Sequence, residues 1–190
     1  MRIVLISDHS RPDGLRDYGE DRIKSAVGER QNDQLAIYPL QEKDLHHCIG
    51  CFHCWVKTPG VCVIDDLGRQ ICRAAIQSAV TIYLSPVKYG CYSPLIRRAL
   101  DRNLPNILPF FKKINGEVHH TPRYSHYPKL IMIGYGEAVS PGEVATFQEL
   151  ADANALNFQV ENARTYFYRD PESADAVIHS LRQFIRESEG

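Results

Sequence analysis

The chain has no long apolar run. After Met1-Arg2, only five apolar or small residues precede Asp8, too few for a signal h-region or a membrane span. Neither sign of charge dominates: 22 Lys and Arg stand against 23 Asp and Glu, and that balance calls for neither nucleic acid nor a membrane as partner. No internal repeat, low-complexity tract or linker divides the chain. The first turn carries neither the glycine pattern of a dinucleotide fingerprint nor that of a P-loop. These absences leave a single domain over 1–190, long enough for a substantial core, in a reducing, cytoplasmic setting. In that setting, six cysteines are better explained as ligands or redox groups than as three disulfides.

What is present is Cys48-Ile-Gly-Cys51-Phe-His-Cys54, followed eight residues later by Cys62 behind a Pro59-Gly60 turn. Three thiols spaced C-x2-C-x2-C can wrap one face of a compact centre, and the Pro-Gly turn can swing the fourth back onto it. That pattern fits an iron–sulfur cluster first and zinc second, with free redox-active thiols as the remaining reading. The cysteine-rich loop covers about 46–64. His46, His47 and His53 crowd it and read as solvated loop residues, while Trp55 is placed to cover a centre or simply to pack.

Around this loop the pattern alternates between strand and helix. Apolar runs at 2–7, 35–40, 80–84, 130–134 and within 158–168 read as five strands. Helices are expected at about 18–30, from Asp65-Asp66 through Leu67, Ile71 and Ala75, from Ser93-Pro94 to about 102, from the capping box Ser140-Pro-Gly-Glu143 onward, and over 173–186. Between 103 and 128 the periodicity fails, and prolines punctuate a stretch rich in His, Phe and Tyr. It reads as an insertion or long loop, acting as a lid or a subunit contact. Cys72 falls near a buried helix face and reads as a core thiol. The sum is an α/β three-layer sandwich: a five-stranded parallel sheet, order 2-1-3-4-5, with helices on both faces.

Such sheets bind ligands outside the carboxyl ends of their strands. Three turns converge there, and the cysteine loop is expected on the same edge. The turn after strand one offers Ser7, Ser10 and Arg11 for a phosphate, with Asp8, Asp13 and Asp17 close by. The turn after strand three, Ser85-Pro86-Val87-Lys88-Tyr89-Gly90-Cys91, offers amides, a cation and a flat ring for a planar ligand. Tyr135 and Gly136 repeat the aromatic-plus-glycine arrangement after strand four.

Taken together, the cysteine motif with Trp55, Gly60-Val-Cys62 and Asp65-Asp66, and the run from Ser85 to Gly90 leading to Asp101-Arg102, resemble the flavodoxin-like NADPH-dependent FMN reductases. Within them, the iron–sulfur flavoproteins are the nearer match. The resemblance implies FMN at the strand ends, [4Fe–4S] ligation by Cys48, Cys51, Cys54 and Cys62, and NAD(P)H as electron donor. It also implies a homodimer or homotetramer and a small-molecule or protein redox partner. The first turn, Ser7-Asp-His-Ser-Arg11-Pro-Asp, departs from the Gly-Ser-Pro-Arg phosphate loop usual in the family. A cluster-free flavin or quinone reductase and a zinc-stabilised, non-enzymatic binding module are the alternatives. No general acid or base is evident.

Overall fold

Both faces of the first strand are apolar, and that decides the architecture. In the computed structural model, which describes residues 1–28, 33–114, 116–160 and 163–186, β1 (Arg2–Asp8) is buried along all but its first residue. Val4 and Ile6 enter one core, and Ile3 and Leu5 enter the other. A strand covered on both sides belongs in the middle of a parallel sheet, since the crossovers put helices on each face.

The remaining elements follow in order. They are α1 (Gly14–Gly28), β2 (Gln34–Leu40), the one-turn helix α2 (His53–Val56), α3 (Leu67–Ile76), β3 (Val80–Pro86), α4 (Pro94–Asp101), β4 (Ile107–Ile114), β5 (Glu117–Pro122), β6 (Lys129–Tyr135), α5 (Pro141–Asn157), β7 (Ala163–Tyr168) and α6 (Pro171–Arg186). The main sheet runs β2-β1-β3-β6-β7, and every neighbouring pair is parallel. Counting only its five strands, this is the expected 2-1-3-4-5 order of a flavodoxin-like sandwich. Residues of α3, α4 and α5 close one core, and residues of α1 and α6 close the other.

Caps set most helix starts. Asp66 accepts from the Gly68 amide, Ser93 from Ile96, and Ser140 from Glu143 in a reciprocal capping box. Helix α1 starts at Gly14, earlier than the residue-18 start expected, because Asp13 caps its first amides. The expected end at residue 30 lies outside the described residues, as does part of the apolar run within 158–168.

The stretch 103–128, expected as an insertion or long loop, carries secondary structure of its own. After a 3-10 turn at Leu104–Asn106, it forms the antiparallel hairpin β4–β5, whose strands register Phe111 with His120 and Ile114 with Glu117. The signal was present in sequence as the Asn115-Gly116 dipeptide, a strong two-residue hairpin turn, flanked by β-favouring Phe, Ile and Val. The prolines flank the hairpin's core or sit on strands outside the main sheet, where a missing amide costs little.

Candidate functional site

Cys48, Cys51, Cys54 and Cys62 line one small apolar cavity, together with Ile49, Phe52, Val63, Ile64 and Leu104. Cys54 is buried at the start of α2, Cys62 is half-buried, and Cys48 and Cys51 are exposed. Burial, then the neighbouring Cys62, Cys48 and Cys51 sulfurs, push the Cys54 thiol upward. Among the described residues, no three His, Cys, Asp or Glu side chains stand together at the spacing of ligands to one metal ion. Phe52 turns the chain into α2 with φ of 55°, unusual for a bulky residue, and its ring stacks on Trp55 at 5.1 Å. Cys72, read as a core thiol, is buried and pushed up to about 12 by that burial.

Both ends of the loop are tied to one buried guanidinium. Arg102, just beyond α4, donates to the His46 carbonyl at 2.8 Å, the Ile64 carbonyl at 3.3 Å, and both oxygens of Asp66 at 2.7 and 2.9 Å. Its side chain is 1% exposed and that of Asp66 9%. Burial pushes the Asp66 carboxyl up, but bonds from Arg102 and the His46 amide outweigh it and hold it at about 2. Gly68 makes room for the clamp, since a Cβ there would lie 2.5 Å from Leu45 and 3.0 Å from the Arg102 guanidinium carbon. His46, read as a solvated loop residue, is exposed but tied to Asp66 through its amide.

A stack of rings joins the loop to the hairpin. Trp55 donates from its indole to the Leu104 and Ile107 carbonyls, and His120 lies against both Trp55 and Phe111. From sequence, Phe111 and His120 are expected in a lid or a subunit contact, and Trp55 as a cover or a packing residue. Their pairing depends on the hairpin register, which brings Phe111 opposite His120.

The cysteine loop does not share an edge with the planar-ligand turn. Helix α4 separates them. Its start is fixed by the Ser93 amide on the Ser85 hydroxyl at 2.9 Å, at the carboxyl end of β3. Its other end carries Arg102 and Leu104 to the cysteines. Eight helical residues span about 12 Å. The chain leaving β2 runs back along this helix, held by Arg98 donating to the Leu45 carbonyl at 2.7 Å, and so carries the cysteines away from the edge.

At that edge the turns do meet. Val87 donates to the Tyr135 carbonyl, and Gly136 to that of Tyr168. Lys88 and Tyr89 are open to solvent, Tyr89 at 92% exposure, and the turn is pinned by paired backbone bonds between Lys88 and Cys91. The Tyr89 amide also donates to Glu143 at 2.8 Å. Cys91 and Pro86 are half-buried. Other expected contacts are spent on the fold. Ser85 and Val87 are buried, Gly90 abuts Thr146, and Tyr135 is 2% exposed with its ring stacked on Tyr168 at 5.7 Å. Tyr135 is therefore a core aromatic rather than a platform for a planar ligand, because it faces the α1 and α6 layer.

The first turn is likewise closed by its own groups. The Ser10 amide is taken by Asp8 at 2.8 Å, and the Leu15 and Arg16 amides by Asp13 at 3.0 and 3.1 Å. Arg16, 5% exposed, sits inside the turn, donating to the Asp8 and Arg11 carbonyls and to Asp17. Ser10 and Arg11 are exposed, and Ser7 is fully buried. The sheet edge thus leaves an open aromatic turn at Tyr89, whereas at the start of α1 the Ser10, Leu15 and Arg16 amides are already engaged by carboxylates.

No family model matches the chain. Over 120 residues it is 29% identical to an iron–sulfur flavoprotein of Methanocaldococcus jannaschii, a match covering 62% of this chain and 61% of that protein, so less than two thirds of the relative's length is spanned. Among solved structures, it superposes on an FMN-dependent NADH-azoreductase from Bacillus anthracis, in complex with FMN, with a TM-score of 0.70 at 9% identity and full coverage of both chains. An NAD(P)H:quinone oxidoreductase from Methanothermobacter marburgensis gives 0.68 at 9% identity, covering 100% of this chain and 98% of that one. By sequence the chain is a relative of an iron–sulfur flavoprotein, and by fold it is a flavodoxin-like sandwich of the kind that NAD(P)H- and FMN-dependent reductases build.

Proposed function

We propose that this chain is a flavin-dependent oxidoreductase that holds a [4Fe–4S] cluster on Cys48, Cys51, Cys54 and Cys62. The observation carrying this reading is that four thiols from two separate segments line a single apolar cavity. A cluster supplies one-electron transfer, and a flavin couples it to two-electron chemistry with a donor such as NAD(P)H. The chain's own residues bind and shield. Phe52, Val63, Ile64 and Leu104 give the thiol cavity an apolar lining, and Trp55 stacks behind Phe52, with Cys54 the thiol shielded from water. Arg102 closes both ends of the loop, and Tyr89 and Lys88 present a ring and a cation at the sheet edge.

The two sites lie apart along α4, so the cysteine loop and the sheet-edge turn would each hold its own redox group. The exposed Ile49, Phe52, Val56, Phe110 and Phe111 around the loop and hairpin suit the homo-oligomer expected from the sequence. The second reading, a cluster-free NAD(P)H-dependent reductase using the same edge, is supported by the quinone oxidoreductase and the azoreductase that share the fold.

Anaerobic purification followed by iron, sulfide and visible-absorption analysis separates the readings. Cluster binding gives iron and sulfide together with absorbance beyond that of flavin, and Cys51→Ala abolishes the iron. Flavin absorbance without iron selects the cluster-free reductase, and a colourless, zinc-containing protein refutes both.

A further inference from the structure

The first turn lies where this topology would deliver an anion to a helix start, yet the chain has filled that place with its own carboxylates. Resting on the flavin reading above, we propose that this chain recognises its flavin by the ring and not by the phosphate, so that riboflavin binds as tightly as FMN. Phosphate sites at helix starts work because free amides and cations converge on the anion. Here the amides of Leu15 and Arg16 are engaged by Asp13, and that of Ser10 by Asp8. Arg16 is engaged by two backbone carbonyls and Asp17. His9 is held by Glu20 at 2.7 Å.

Among the described residues, the buried polar side chain left without a partner here is the single hydroxyl of Ser7. It follows Ile3 and Leu5 on the strand face that α1 covers. One hydroxyl, an exposed Arg11 and the amides of Arg11, Asp13 and Gly14 are what the turn leaves for a dianion, which must also face Asp8, Asp13, Asp17 and Glu20. The neutral hydroxyls of a ribityl chain meet no such conflict, since carboxylates accept hydrogen bonds from them.

The test titrates the full-length chain with riboflavin and with FMN, reading quenching of flavin fluorescence, and identifies by chromatography any flavin that copurifies. The proposal expects the two dissociation constants to agree within about threefold, or riboflavin to bind tighter, with any FMN disadvantage shrinking as salt screens the carboxylates. Asp13→Ser keeps a capping hydroxyl and removes the charge, so it should tighten FMN about tenfold or more while leaving riboflavin unchanged. Circular dichroism confirms that the variant is folded, and the wild-type ratio tests the proposal without it. FMN binding to the wild type about thirtyfold tighter than riboflavin overturns the inference while leaving the flavin reading intact. Absence of binding by either flavin overturns both.

Discussion

Arg102→Ala should release the cysteine loop from the domain. The substitution deletes donors to His46, Ile64 and both oxygens of Asp66, and it strands a carboxylate whose side chain is only 9% exposed. Breaking one side of a buried ion pair typically costs about 3–5 kcal/mol, most of it from the charge left behind. Asp66 keeps its bonds from Gly68 and the His46 amide, so the lower end of that range is expected. Urea unfolding measures the loss. Labelling of Cys54 and Cys62, the covered thiols of the loop, by a thiol reagent should quicken at denaturant concentrations well below global unfolding. Adding Asp66→Asn should recover part of the stability, since the partner is then neutral, and the double-mutant cycle reads the coupling. A cost below about 1 kcal/mol, with unchanged labelling, would refute the clamp. The same pair sets an acid limit. Asp66 is depressed from 3.8 to about 2, so its contribution is present above pH 3.8 and lost as pH falls toward 2. The size of that contribution is about 2 kcal/mol, and Asp66→Asn should flatten this part of the stability–pH curve.

Trp55→Phe removes the indole donor to Leu104 and Ile107 while keeping a ring for Phe52 and His120. Arg123 still serves the Ile107 carbonyl and the Ile107 amide still serves that of Leu104, so no acceptor is orphaned and thermal or urea melts should show a loss of about 0.5–1.5 kcal/mol. Gly19→Ala places a methyl group 2.2 Å from the Tyr168 hydroxyl oxygen, which itself donates to the Leu15 carbonyl. A destabilisation of about 1–3 kcal/mol is expected, partly relieved by Tyr168→Phe in the same chain. Additive losses in that pair would show that the hydroxyl is not what the methyl meets.

Local signals made much of this protein legible without coordinates. Strand runs alternating with helices implied the parallel sheet, and Asp66, Ser93 and Ser140 marked helix starts that the structure confirms. The spacing of Cys48, Cys51, Cys54 and Cys62 implied a shared centre, and the four do line one cavity, although among the described residues no three stand at ligand spacing. The Asn115-Gly116 signal is as local as these, but the prolines around it interrupt the strand pattern on either side.

Other features belong to the tertiary structure alone, since they depend on which surfaces meet. Tyr135 looked like a ligand platform in sequence and became core because the sheet turns it toward Tyr168. Ser10 and Arg11 looked like phosphate ligands, but whether an amide is free depends on where Asp8 and Asp13 fold back. The cysteine loop left the carboxyl edge because Arg98 and Arg102, far away in the chain, hold its flanks along α4. Sequence spacing determines which groups are available and how they cluster along the chain. Three-dimensional packing decides which of them are spent on one another and which remain for a ligand.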